Sequence, residues 1–312
     1  MRILFAGTPD IAVPSLELLA AESDVVGVLT VPDKASGRGR HVISPPLKLA
    51  AERLDVAVFQ PATLDSSIRD RIGKLGAELL VVFAYGHFFG PRFLALFPYG
   101  AINMHPSALP RYRGPSPLSA AILAGDEHIA LTVQRIASEM DAGDILRQTP
   151  YPLNGDETTA SLTEAVALAA APEILAVVNQ IAEGSETPMP QDHQKATYCQ
   201  LVNREDAQLD WNESAEMIQR RVRAYIPWPR ARTVLKGTTL VILEAAVIPQ
   251  ENSSMELGAI IGVDKSKGIL IQTGEGILAV SRLQLASRKP MNFRSFLNGV
   301  KLVAGTVLGV HS

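Results

Sequence analysis

Apolar residues in the first part of the chain gather in short runs, within residues 2–6, 25–30, 78–83 and 100–104. Runs of this length suit strands buried on both faces and are too short for core helices. Between them, residues 15–21, 47–53 and 68–75 repeat apolar side chains every three or four positions, which is the helical period. Strand and helix therefore alternate. This predicts an α/β domain with a mostly parallel, Rossmann-like sheet covered on both faces. Residues 131–136 and 145–151 add edge strands, and the Ala-rich segment 161–182 reads as a long helix opened by Asp156, Thr158 and Thr159.

The pattern changes after residue 184. The chain turns polar, with Pro188, Pro190, Gln191, Asp192, His193 and Gln194 and no apolar period, which marks residues 190–206 as a linker between a domain at 1–189 and another at 207–312. A helix at 214–224 is followed by five short β-rich runs, at 232–235, 240–248, 259–263, 268–273 and 276–283. Five such strands separated by glycine and polar turns predict a small OB-like β-barrel.

Charge follows the same division. The formal net charge is only -3, yet residues 1–206 hold 16 Lys/Arg against 24 Asp/Glu while residues 207–312 hold 13 against 8. An acidic body thus carries a basic tail domain. No run of eighteen apolar residues occurs, and the opening MRILFAGTPD reads as strand and turn rather than as a signal peptide, so a cytoplasmic protein without a membrane span is expected. Cys199 is the single cysteine, which excludes an internal disulfide, a CxxC pair and a cysteine-rich zinc site.

Candidate chemistry lies where the run at 100–104 ends. Asn103 and His105 are two positions apart, so a strand projects both from one face at the carboxyl end of the sheet, where open α/β sheets bind ligands. An amide donor beside an imidazole suits an oxyanion at a carbonyl under attack, and so points to acyl transfer. The proline-stiffened loop from Ser107 through Leu109, Pro110, Arg111, Tyr112 and Arg113 to Gly114 follows. A second loop, Glu139-Met140-Asp141-Ala142-Gly143-Asp144, offers Asp141 to orient the histidine and favour its protonated form, so activity should fall on the alkaline side. The opening Gly7-Thr8-Pro9-Asp10 turn lacks G-x-G-x-x-G, which disfavours a dinucleotide-binding oxidoreductase. A purely RNA-binding protein would leave Asn103, His105 and Asp141 without a role.

These elements, an N-x-H strand end, an S-x-L-P-R-Y-R-G loop and a D-x-G-D loop in this order, resemble the folate-dependent formyltransferases. The resemblance extends over nearly the whole chain. It implies that Asn103, His105 and Asp141 match the catalytic triad of that family, and that 10-formyltetrahydrofolate is the co-substrate, with no metal. It places Phe83, Ala84, Tyr85, Gly86, Ser107, Leu109, Pro110 and Asp144 at the folate. The chain departs from the family pattern at Pro106, Ala108, Ser119, Ala120, Ile226 and Arg230, none of which removes a group the chemistry requires.

The acceptor is read from two further features. An insert after the second strand carries Lys34, Arg38, Arg40 and Lys48 on a glycine-hinged loop within an acidic domain. It is similar to the loop that enters the acceptor stem in the branch of the family acting on methionyl-tRNA. The segments Leu209-Asp210-Trp211 and Arg223-Ala224-Tyr225-Ile226-Pro227-Trp228-Pro229 resemble the tail domain of the same branch. Arg220, Arg221 and Arg223, with Arg230, Arg232, Lys236, Arg288 and Lys289, are candidate phosphate contacts, while Trp228 between its prolines reads as a packing anchor. Initiator methionyl-tRNA is thus the expected partner of a monomer, and a UDP-amino sugar or another small amine is the alternative acceptor.

Overall fold

The computed structural model describes residues 1–36, 41–248 and 253–309. Arg38 and Arg40 of the basic insert lie outside these residues. The chain divides into two compact units, the first comprising Met1–Pro117, His128–Pro152 and Leu162–Gln200, and the second Leu118–Glu127, Leu153–Ser161 and Leu201–Ser312.

The first unit contains strands β1 (Arg2–Gly7), β2 (Asp24–Leu29), β3 (Lys34–Ser36), β4 (His41–Ile43), β5 (Val58–Phe59), β6 (Leu79–Phe83), β7 (Ala101–His105), β8 (His128–Arg135) and β9 (Ile145–Pro152). Seven of them form one sheet in the order β5-β2-β1-β6-β7-β8-β9, and β3 pairs with β4 as a separate hairpin. From β5 to β7 every pairing is parallel, whereas β8 and β9 run antiparallel. All five residues of β6 are buried, as are Ile3 to Ala6 of β1. Burial on both faces is why these strands are continuous apolar runs.

Helices α1 (Val13–Glu22), α2 (Pro46–Arg53), α3 (Ser66–Gly73) and α4 (Pro91–Leu94) connect the parallel strands, α5 spans Pro117–Ala124, and α6 spans Thr159–Glu183. Proline stands in the first turn of α1, α2 and α4, where its missing N–H costs nothing. The Asp65 carboxylate caps α3 by accepting from the Ile68 amide. By length and composition α6 could cross a bilayer. Its residues Leu162, Val166, Ala170, Ile174, Val177 and Ile181, spaced by three or four, are buried in the protein core.

The sequence expectation of a linker from residue 190 needs correction for its first part. Residues 190–200 belong to the first unit, Gln191 is 6% exposed, and Tyr198 bridges to Arg113 while Cys199 N donates to Arg113 O at 2.8 Å. Backbone pairing and amide hydrogen bonds fix this segment, and neither leaves an apolar period in the sequence.

In the second unit, the Ser214 hydroxyl caps α7 (Ala215–Ala224), which buries Ala215, Ile218 and Val222 along one face. Strands β10 (Arg232–Leu235), β11 (Thr238–Ile248), β12 (Ile260–Asp264), β13 (Gly268–Gln272) and β14 (Ile277–Leu285) pair antiparallel in the order β10-β11-β14-β13-β12, and the short β15 (Met291–Asn292) joins β14 ahead of α8 (Phe293–Gly299). Ile242, Ile269, Ile271, Leu278, Val280, Leu283 and Phe296 fill the interior, each burial worth about 1.5–3 kcal/mol. Beyond the expected five strands, residues 304–309 bridge the two edges. Ile260 N donates to Thr306 O at 2.8 Å and Leu308 N to Gly258 O at 2.9 Å, while Gly309 N reaches Val234 O at 2.8 Å. The curled sheet is thereby a half-barrel, bridged between its edges and consistent with an OB-like fold.

Candidate active site

Side chains alternate along β7, so Ile102 and Met104 enter the core while Asn103 and His105 take the other face. In register with them on β8 stand Gln134, opposite Asn103, and Thr132, opposite His105. The loop after β7 is tied down at once. Thr132 Oγ1 donates to Ser107 O at 2.6 Å and Ser107 Oγ to Arg111 O at 2.6 Å.

Asp141 sits in the left-handed region at φ 52°, a conformation that aspartate tolerates better than most residues and that recurs at functional sites. Gly143 N and Cα must pass close to β8, because a Cβ there would lie 1.9 Å from Arg135 O. This bend turns the Asp141 carboxylate back over the β7 terminus. Its Oδ1 accepts from Gln134 Nε2 at 2.9 Å and from Asn103 Nδ2 at 3.4 Å, and its Oδ2 accepts from Gly114 N at 2.9 Å and lies 3.6 Å from His105 Nδ1. His105 Nε2 is 2.8 Å from Tyr112 O. A carbonyl only accepts, so this nitrogen carries a hydrogen. Both ring nitrogens thus face acceptors, an arrangement suited to the imidazolium.

The structure therefore brings Asn103, His105 and Asp141 together. Gln134, the Gly114 amide and the Tyr112 carbonyl belong to the same cluster and were not anticipated. Alternation within residues 131–136, where Thr132 and Gln134 interrupt the apolar positions, was the available signal for Gln134.

The positions assigned to the folate differ in exposure. Phe83, Tyr85, Ser107 and Leu109 have buried side chains, Pro110 is half-buried, and Ala84, Gly86 and Asp144 are exposed. Ala84 and Gly86 have φ 54° and 83°, and nothing lies within 4 Å of a Cβ built on Gly86. The carboxyl end of β6 is thus an open backbone cradle, fastened to the first turn by Thr8 Oγ1 donating to Tyr85 O at 3.2 Å. The Tyr85 ring stacks on Phe89 at 5.2 Å, and burial pushes its phenol up to about 12. Unfolded, this phenol ionises at about 10. The folded state resists losing the proton, so stability should fall as the pH rises from about 10 to about 12. Alkaline unfolding curves check this: Tyr85→Phe should flatten the decline, and an unchanged decline would place its origin elsewhere.

Among the basic residues, Lys34 is exposed on β3. Lys48 instead pairs with Asp33 Oδ2 at 2.7 Å, and Gln60 Nε2 donates to Asp33 Oδ1 at 2.6 Å. The Gln60 amide and the Lys48 ammonium hold the Asp33 carboxyl below the usual carboxylate range. Lys48 thus pins the base of the insert. Arg220 donates to Ala124 O and pairs with Glu216, and Arg223 Nη1 donates to Glu157 O at 2.9 Å, so both guanidiniums are engaged inside the second unit. Trp228 corrects its expected role as an anchor. It is 53% exposed, while Trp211 is the buried indole, donating to Thr233 Oγ1 at 3.1 Å. Arg230, exposed beside Trp228, reaches Gln284 Oε1 at 3.1 Å, and Gln284 Nε2 donates to Arg288 O.

A strand-end amide and imidazole gathered around one carboxylate, at the mouth of a parallel sheet, define a site for acyl transfer. Residues 1–178 match the family described as formyl transferase, and residues 201–301 match the formyl transferase C-terminal domain. The chain belongs to the formyl transferase family of enzymes. It is 43% identical over 311 residues to the methionyl-tRNA formyltransferase of Treponema denticola, with 96% of this chain and 97% of that protein covered. In fold it is similar to the N-formyltransferase from Helicobacter canadensis, solved with folinic acid and dTDP-3-aminofucose (TM-score 0.67, 17% identity, covering 90% of this chain and 99% of that one). It is also similar to the methionyl-tRNA formyltransferase from Clostridium thermocellum (TM-score 0.56, 16% identity, 80% and 94% covered).

Proposed function

We propose that this enzyme transfers the formyl group of 10-formyltetrahydrofolate to the amino group of initiator methionyl-tRNA, acting as a cytoplasmic monomer, with a catalytic domain that retains residues 190–200 and a tRNA-binding domain at 207–312. The observation that carries the chemistry is the Asp141 carboxylate facing both Asn103 and His105. The carrier supplies an activated formyl carbon, and the exposed cradle at Ala84 and Gly86, with Pro110 and Asp144, is the part of the site that fits it.

As the amine attacks, charge collects on the formyl oxygen. Asn103 Nδ2 has a second hydrogen to donate to that oxygen, and His105 Nε2–H exchanges the Tyr112 carbonyl for it. Asp141 holds the imidazole ring by Nδ1 and offsets its positive charge. The attacking amine loses a proton, and the departing folate nitrogen gains one. The His105 imidazolium gives its Nε2 proton to the departing folate nitrogen as the bond from that nitrogen to the formyl carbon breaks, and the neutral imidazole so formed takes the proton that the amine loses.

The acceptor assignment rests on full-length similarity to methionyl-tRNA formyltransferases and on the β3–β4 hairpin with its exposed Lys34. Labelled formyl transfer tests it, with charged initiator methionyl-tRNA and an amino-sugar nucleotide as competing acceptors. Transfer to the tRNA that weakens with salt supports the reading. Transfer confined to the sugar nucleotide overturns it.

Exposed aromatic and basic groups together suit nucleic-acid contact, each stacked base being worth about 1–3 kcal/mol. Trp228→Ala should therefore raise the KM for methionyl-tRNA by roughly tenfold with little change in kcat. Steady-state kinetics over a salt series measure this, and an unchanged KM removes Trp228 from the tRNA surface.

A further inference from the structure

Buried arginines usually face a carboxylate. Arg113 is 1% exposed, yet among the described residues its side chain meets neutral acceptors. Nη2 donates to Gln191 Oε1 at 2.7 Å and lies 3.3 Å from His193 Nδ1, and Nη1 is 3.5 Å from the Tyr198 hydroxyl. Gln191 Nε2 then donates to Gly143 O at 2.7 Å, to Asp141 O at 2.9 Å and, more weakly, to Gln134 Oε1 at 3.3 Å. Gln134 Nε2 completes the series on Asp141 Oδ1.

The two amides cannot be turned over. Arg113 only donates and the two backbone carbonyls only accept, so Gln191 must present Oε1 to the guanidinium and Nε2 to the loop. With its Oε1 occupied by Gln191, Gln134 must present Nε2 to Asp141. Every donor in the series therefore points from a permanent cation toward the carboxylate. Asp141 receives hydrogens from Gln134, Gly114 and Asn103, the contact set of an ionised group.

We propose that Arg113, Gln191 and Gln134 form a positioning relay that fixes the direction of the Asp141 carboxylate and, through it, the imidazole of His105. The relay rests on the role given to Asp141 above. Arg113 supplies the polarity, and Gln191 grips the 141–143 turn by two carbonyls and passes the orientation on through Gln134. None of the three side chains needs to touch a substrate.

Two variants probe separate links. Gln134→Met keeps the volume and removes the donor to Asp141. Gln191→Glu keeps an acceptor for Arg113, adds a charge that strengthens that contact, and sets an acceptor against the carbonyls of Asp141 and Gly143. If Gln191 only packed Arg113, Gln191→Glu would keep its activity. The relay predicts that in both variants kcat for formyl transfer falls by roughly thirtyfold while the KM values for folate and tRNA stay within about threefold. It also predicts that, without substrate and at fixed pH, the nitrogen resonance of His105 Nδ1 moves toward that of free imidazole, the signal being assigned by its loss in His105→Gln.

Wild-type kcat together with an unmoved His105 resonance, in whichever of the two variants is folded, overturns the proposal. If the unmodified enzyme transfers no formyl to methionyl-tRNA, the acceptor assignment fails, and the substrate-free resonance comparison still decides the relay.

Discussion

Asp141→Asn should yield a folded protein whose kcat for formyl transfer is lower by roughly a thousandfold or more. The substitution changes almost no volume. It places an NH2 where the carboxylate has only accepting positions: Gln134 and Asn103 donate to one oxygen, and Gly114 N donates to the other, which also faces His105. Whichever way the new amide turns, a donor meets a donor, at a cost of about 1–3 kcal/mol for each unmade bond. The imidazolium loses its counter-charge and its guide together. Single-turnover transfer with saturating folate and methionyl-tRNA isolates this loss from binding, and the thermal unfolding curve checks the fold. A variant that retains a tenth or more of the wild-type rate would remove Asp141 from the mechanism.

A second large effect is expected from a single methyl group. Gly143→Ala places a Cβ 1.9 Å from Arg135 O and 2.8 Å from the Arg135 carbonyl carbon. The obstacle is backbone of β8, anchored further by Arg135 N donating to Asp144 O at 2.8 Å, so no flexible side chain can move aside. Overpacking of this kind costs about 3 kcal/mol, and the turn that presents Asp141 must open to relieve it. Transfer activity and the unfolding temperature should fall together. Gly299→Ala serves as the control, because nothing lies within 4 Å of its added carbon. Equal behaviour of the two variants would mean that the turn is more compliant than its contacts imply.

What the sequence discloses about this fold depends on how each part is held. β1 and β6 are legible because burial on both faces demands unbroken apolar runs, and the reversal of Asn103 and His105 against Ile102 and Met104 follows from strand geometry alone. The polar stretch near Gln191 misleads for the opposite reason. Its attachment is made by backbone pairing and by one amide bonded to an arginine and two carbonyls, and composition records none of this. Charge is equally silent about partners: Lys48 and Arg220 look free in sequence and are paired in the structure. The two tryptophans differ in burial because Trp211 has Thr233 to accept its N–H, a pairing 22 residues apart that no local pattern displays.

The backbone bonds that residues 304–309 make across the barrel also bear on how the protein keeps apart from its own copies. They give Ile260 N and the carbonyls of Gly258 and Val234 partners within the chain, and so cover part of the backbone by which exposed sheet edges adhere to one another. A chain lacking residues 304–309 should therefore differ from the whole protein in its tendency to self-associate as well as in its stability.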